Sequence, residues 1–295
     1  MTLPRRDFLK LSGLAAIATS IEPWSKSMAQ TSSAPEAKAD YTLRIATGLV
    51  ELAPEHIVST TLYNGQFPGP LLRFKEGQRA VVDIYNDTDT PELVHWHGQM
   101  IPSDVDGASE EGTPFVPAHG MRRVSFVPKP SGFRFYHTHV LAGGDLNRGT
   151  YTGQAGPVYI EPKNNPGAYD REIFLVMKEF EPSFSRGGDM AMDFLAGEPI
   201  KELQQIDTLH QGRRYRLKFR NASDDIHPLH LHRHSFELTN IGGKPTSGVL
   251  KDVVMLGGFQ ELEFDFVADN PGATLFHCHQ QLHMDFGFMA LFKYA

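Results

Sequence analysis

The sequence predicts an all-β protein built from two β-sandwiches, and three observations carry that prediction. Alternating runs such as Ala80-Val81-Val82-Asp83-Ile84-Tyr85 have the period of two that a half-buried strand shows. Asn64-Gly65, Pro68-Gly69-Pro70 and Pro130-Ser131-Gly132 mark turns between such runs, and short strands at regular spacing suit a sandwich. The chain also repeats itself. Gly77 to Asn86 (GQRAVVDIYN) aligns with Gly212 to Asn221 (GRRYRLKFRN) at an offset of 135, which also takes His95 to His230 and His97 to His232. An offset of 140 takes His137 and His139 to His277 and His279, as expected of a duplicated sandwich.

In chain order, residues 1–29 carry the marks of a twin-arginine signal peptide. Arg5-Arg6 precedes a short apolar run, Leu11 to Ala18, and Ser27-Met28-Ala29 offers a cleavage site of small residues. The run is too short to span a bilayer, so the mature form is expected to lack a membrane span and to be periplasmic or secreted. Residues 30–40 read as a flexible N-terminal segment, 41–162 as the first sandwich, Lys163 to Asp170 (KNNPGAYD) as a linker, and 171–295 as the second. Apolar residues make up 40% of the chain, which suits a soluble globular protein, and a net charge of −7 leaves no basic footprint for nucleic acid. Fourteen histidines against one cysteine rule out a disulfide framework and point to metal chemistry.

The densest ligand stretch is His277-Cys278-His279-Gln280-Gln281-Leu282-His283, with Phe288 five residues on. On a strand, His277 and His279 would share one face, about 6–7 Å apart, with Cys278 on the other, so one strand would touch two sites. A thiolate with two imidazoles is the ligand set of a blue-copper centre, although the stretch taken alone also suits zinc. The repeat adds a constraint. Glu92, Thr138 and Gly143 stand where the second half has His227, Cys278 and His283, so a thiolate site is expected only once per chain.

Four segments, His95-Trp96-His97-Gly98, Tyr136-His137-Thr138-His139, His227-Pro228-Leu229-His230-Leu231-His232 and the H-C-H-x3-H stretch, resemble the signatures of multicopper oxidases. The lead-in Asn64-Gly65-Gln66-Phe67-Pro68-Gly69-Pro70 is similar to theirs too, and the likeness covers nearly all of residues 41 to 295. More narrowly, the chain resembles small two-domain laccases with the blue copper in the second domain. The resemblance implies two cupredoxin-like Greek-key sandwiches and four copper ions per active unit. A type 1 copper would take His227, Cys278 and His283, with Phe288 in the axial place. A type 2 copper would take His95 and His230. The type 3 pair would take His97, His137 and His279 on one ion and His139, His232 and His277 on the other.

Other positions follow from the same resemblance. Asp106 would support proton delivery near the type 2 copper, the alternative being an Asp-Gly turn. The family often has a second acid three residues after the cysteine; Gln281 stands there and cannot donate a proton as a carboxylic acid does. His234 would share the ligands' strand face, but its family counterpart acts as support. His56, His119 and His210 fall outside every motif and read as surface or turn residues. Met190 and Met192 read as gap-fillers rather than ligands for cuprous ion.

The implied function is enzymatic: a laccase-like oxidase that takes single electrons from small phenols or aromatic amines at His283 and reduces dioxygen. One alternative is a cuprous-ion or other metal oxidase for copper tolerance, which a methionine-rich segment over the blue copper would favour. Another is a non-enzymatic electron-transfer protein, which leaves His95, His97, His137 and His139 without a role. Copper nitrite reductase shares the two-domain plan but lacks a type 3 pair. The two-domain relatives also lack a spacer domain, and a linker of this length spans at most about 26–29 Å. A head-to-tail ring in which each trinuclear cluster is shared between two chains is expected, and the resemblance to two-domain relatives, which close it at three, implies a homotrimer.

Overall fold

The structure is a computed structural model that describes residues 38–53, 56–141, 152–164, 167–177, 204–285 and 288–295. The expected signal peptide, residues 30–37, Gly143, Met190, Met192 and the side chain of His56 lie outside the described residues. No helix among those described is long and apolar enough to cross a membrane.

Two sandwiches follow one another along the chain. In the first, β1 (Tyr41–Ala53), β2 (His56–Tyr63), β4 (Ala80–Asn86) and β6 (Gly120–Phe126) form a sheet in the order β2-β1-β4-β6. Facing it, β3 (Leu72–Lys75), β5 (His95–His97), β7 (Gly132–His137) and β8 (Ala155–Glu161) form the order β3-β8-β7-β5. In the second sandwich β9 (Arg171–Met177), β11 (Arg214–Asn221), β13 (Phe236–Ile241), β14 (Lys244–Lys251) and β16 (Glu261–Val267) run β14-β13-β16-β11-β9. The facing sheet, β10 (Gln204–Leu209), β12 (His227–Leu231), β15 (Val253–Leu256), β17 (Thr274–Cys278) and β18 (Met289–Tyr294), runs β10-β18-β17-β12-β15. Most sheet neighbours are not consecutive in the chain, which is the Greek-key habit. Two short helices, α1 (Ser103–Asp106) and α2 (Gln281–Asp285), sit beside the histidine-bearing strands.

The duplication extends to register. β1 pairs β4 in parallel as β9 pairs β11, and His95 lies opposite His137 as His230 lies opposite His277. Two asparagines close equivalent corners: Asn86 Nδ2 donates to the carbonyls of Thr90, Val116 and Pro117, and Asn221 Nδ2 to those of Asp225 and Gly257. Trp96 and Leu231 point into the two cores, so the strand pleat sends His95, His97 and His230 outward. Buried Phe74, Phe126 and Tyr136 surround Trp96, and Phe219, Phe236, Phe264, Phe276 and Phe292 fill the second core. Each fully buried aromatic contributes about 1.5–3 kcal/mol, which anchors the strands that carry the histidines.

A charged ladder joins the sandwiches. Along β11 and β16, Tyr215, Leu217, Phe219, Leu262, Phe264 and Phe266 face the core, while Arg216, Lys218 and Arg220 lie directly opposite Asp265, Glu263 and Glu261 on the other face. All six charged residues are buried: the first sandwich lies against Lys218, Arg220 and Glu261, and the Tyr169 ring of the connecting segment lies 4.6 Å from the Arg216 guanidinium. Lys218 Nζ donates to Tyr159 (2.9 Å) and to Glu263 (3.2 Å), and Arg134 Nη1 lies 2.8 Å from Glu261. The Arg220 guanidinium sits over the Phe135 ring at 4.6 Å. Burial pushes Glu261 up to about 7 against the pull of Arg134 and Arg220, and pushes Arg220 down to about 10. Charges taken this far from water are tolerated only when paired.

Candidate metal centre

Three ligand groups form among the described residues, and the first contains the only cysteine. Cys278 ends β17, His227 begins β12, and His283 lies on α2. Cys278 Sγ is 3.9 Å from His227 Nδ1 and 3.6 Å from His283 Nδ1, and the two Nδ1 atoms are 3.0 Å apart. His283 Nε2–H donates to the Asp225 carboxylate at 2.9 Å, which leaves its Nδ1 lone pair free. Lone pairs and a sulfur directed at one another within 4 Å call for a cation between them, and this donor set suits copper. Burial, and then His283, push His227 down to about 4, so its ring is neutral as a ligand must be. Burial also pushes the Cys278 thiol up, an effect that a bound cation would reverse. The Phe288 ring lies 5.0 Å from that of His227, and its carbonyl accepts the Cys278 N–H.

The other two groups are His95, His97 and His137 in the first sandwich and His230, His232 and His277 in the second. Their tautomers are fixed by backbone carbonyls, which only accept. His137 Nδ1–H donates to Thr138 O and His277 Nδ1–H to Cys278 O; His95 and His230 donate likewise to Asp106 O and Asp252 O. In all four rings this tautomer puts the lone pair, the atom that could ligate a metal, on Nε2. His97 Nδ1 comes within 3.4 Å of His137 Nε2, and His232 Nε2 within 3.0 Å of His277 Nε2. The Phe135 ring stacks on both His97 and His137. Burial and the charge of Arg220 push His97 down to about 3.

Not every expected residue joins a group. His139 and His279 stand at the rim, with ring centroids 5.4 Å from His95 and 5.7 Å from His230 respectively. His279 lies in a bend just past β17 rather than on the strand, because the chain turns into α2; Cys278 still faces away from His277. His232 and His234 likewise sit beyond β12. His234 is buried, donates from Nδ1 to His232 O and accepts the Tyr294 hydroxyl at Nε2, so it braces the turn. His119 is exposed beside Asp89, and His210 is exposed too. Gln281 begins α2 and lines an open cavity of about 320 Å³ with His232, His277, His279 and Met284. No group mixes histidines of the two sandwiches.

Asp106 is in contact with the site: its carboxylate lies 3.1 Å from His95 Nδ1, and its carbonyl 2.9 Å. The Asp-Gly turn is present as well. Gly107 has φ +101°, and a Cβ there would lie 2.1 Å from Val94 O and 2.4 Å from His95 Cα. Gly107→Ala is expected to strain the backbone by about 1–3 kcal/mol and to displace His95. Copper bound per chain should fall in that variant while the blue colour of the Cys278 group persists. Asp225 had no signal in the sequence beyond lying two residues before His227.

Comparison with known proteins bears on the whole described region. Two multicopper oxidase family models match, one over residues 44–165 and one over 176–295. The multicopper oxidase MmcO of Mycobacterium tuberculosis is 26% identical over 86% of this chain and 59% of its own length. Copper resistance protein A of Escherichia coli is 29% identical over 60% of this chain and 29% of its own. The chain thus spans less than two thirds of the length of these curated relatives. Among solved structures, the blue copper oxidase from Nitrosomonas europaea superposes with a TM-score of 0.73 at 25% identity, covering 86% of this chain and 85% of that one. The copper nitrite reductase of the same organism shares the fold, with a TM-score of 0.67 at 17% identity over 86% of this chain and 93% of its own.

Proposed function

The chain belongs to the multicopper oxidase family, and from that premise we propose that it is a laccase-like oxidase that takes single electrons from phenols or aromatic amines and reduces dioxygen to water. One observation carries the reading: Cys278, of the thiol-containing group, is bonded directly to His277, of a histidine group, so electrons need cross only a peptide unit or two between sites. Bound copper would supply one-electron redox chemistry at the Cys278 group and dioxygen reduction at a cluster of three ions. His227, Cys278 and His283 would hold the first ion; His95 and His230 the type 2 ion; His97, His137, His279, His139, His232 and His277 the type 3 pair.

The protein's own groups divide the remaining work. Asp225, with 45% of its side chain exposed, fixes the outer nitrogen of His283 and offers a proton acceptor where an organic donor would approach. Asp106 orients His95 and is the carboxylate best placed to hand protons to the cluster. The Phe288 ring lies beside His227 and gives no ligand atom. Redox titration is expected to show that Phe288→Met lowers the potential of the blue site, since a thioether would add a weak axial ligand; an unchanged or raised potential would remove Phe288 from the axial place.

Oxygen uptake driven by a phenolic dye, with water and not peroxide as product, tests the proposal. The likeness to copper resistance protein A favours a second reading, oxidation of cuprous ion. Turnover of cuprous ion well above that of any phenol or amine would decide for it. A chain that fills with copper yet consumes no oxygen with either donor is an electron carrier. Export through the twin-arginine route would place this chemistry in the bacterial envelope or outside the cell.

A further inference from the structure

In the second sandwich, three separate segments meet at His227, Cys278 and His283. Register identifies the matching place in the first. Glu92 bridges Val116 as His227 pairs with Leu256, and Thr138 follows His137 as Cys278 follows His277. A closed set of polar side chains occupies that place. Glu92, Thr138 and Gln154 are 3%, 0% and 2% exposed. Thr138 Oγ1–H and Gln154 Nε2–H both donate to Glu92 Oε2, each at 3.2 Å. Thr138 Oγ1 in turn accepts the Val140 N–H, and the Thr138 N–H donates to Gln154 O. Glu92 lies three residues before His95, Thr138 separates His137 from His139, and Gln154 leads into β8.

We propose that Glu92 is a positioning residue whose carboxylate clasps the chain entering β5, leaving β7 and entering β8, and so sets His95, His97, His137 and His139 where a metal bridge performs that task in the second sandwich. The inference rests on the reading of those four histidines as copper ligands. A buried carboxylate is costly unless hydrogen-bonded, and here both donors come from segments that must keep register with it. Loss of the clasp frees the turn between His137 and His139 while leaving the second sandwich untouched.

The test compares the wild type with Glu92→Gln, Glu92→Leu and Thr138→Val. A glutamine oxygen can accept both hydrogen bonds; leucine can accept neither. In the copper-free chain, NMR-detected amide exchange at Thr138 and Val140 is expected to quicken about tenfold in Glu92→Leu, to stay near wild type in Glu92→Gln, and to be unchanged at Cys278. In the copper-loaded chain, Glu92→Leu should lose about 10–100-fold in copper affinity at the first sandwich, together with the near-ultraviolet absorption expected of the type 3 copper pair (the coupled-pair band), while the blue colour remains. Unchanged exchange and an unchanged band in Glu92→Leu would overturn the proposal. So would a Glu92→Gln variant as impaired as Glu92→Leu, because charge and not hydrogen bonding would then matter. If Glu92→Leu does not fold, Thr138→Val decides by exchange at the Thr138 amide and by the near-ultraviolet band, the Val140 amide being left aside because this variant removes its acceptor directly: loosening at Thr138 with loss of the band supports the clasp, and the absence of both changes overturns it. A wild type that lacks the coupled-pair band but shows the expected exchange pattern would remove the copper reading of these histidines and leave the clasp standing.

Discussion

Cys278→Ser is expected to abolish the intense blue absorption and the oxidation of every donor, while the histidine groups still bind copper. The sulfur belongs to the only thiol in the chain and lies within 4 Å of both Nδ1 atoms of its group. A serine hydroxyl stays protonated and cannot supply the sulfur-to-copper charge transfer that gives such sites their colour. The fold should persist, since the substitution changes one atom, the Cys278 N–H still donates to Phe288 O at 3.0 Å, and no disulfide is involved. Absorption spectra, copper analysis and turnover on one preparation check all three parts. Blue colour retained in the variant would sink the assignment of the group.

Mixing two inactive variants is expected to restore activity. His97→Ala damages only the first sandwich's half of the proposed cluster, and His279→Ala only the second's. Among the described residues of one chain no ligand group combines histidines of both sandwiches, and the ladder of Arg216, Lys218 and Arg220 against Asp265, Glu263 and Glu261 fixes the sandwiches against each other in that arrangement. The connection after β8 is tied down as well: Asp170 N–H donates to Arg214 O, and its carboxylate accepts from Arg213 and the Arg214 N–H. We therefore propose that the first sandwich of one chain meets the second of the next in a closed ring, a homotrimer. Random co-assembly at equal amounts would give about a quarter of the sites two intact halves, and activity should recover in that proportion. No recovery in oligomers shown to be mixed, or a monomeric mass for the active enzyme, would rule out the shared site.

Much of this arrangement was legible in the sequence because both its signals are local. Period-two alternation named the strands, and paired histidines at matching offsets named the ligand groups, so the register of His95 with His137 and of His230 with His277 follows from the repeat. The contacts between elements were less legible. Arg216, Lys218 and Arg220 alternate with apolar residues as a solvent-facing strand would, and nothing local distinguishes a face covered by another domain from one covered by water. Glu92 and Thr138 were visible as lost ligands, but their hydrogen bond to each other spans 46 residues and depends on Gln154. His279 was expected on the strand; the short α2 that begins at Gln281 turns the chain away first, and a single helical turn leaves no periodic signal.

The charged seam between the sandwiches also bears on history and on engineering. A face on which arginines and lysine oppose glutamates and aspartate neutralises itself, and it is as compatible with open water as with a protein neighbour. A solitary ancestor of the duplicated unit could have carried such a face without aggregating, and partnership could have been added to it afterwards. The same property makes the second sandwich a candidate for independent expression: cut within residues 163–170, it would return a balanced ionic surface to solvent where most severed domains would expose an oily one, and would take with it all three donors of the thiolate site.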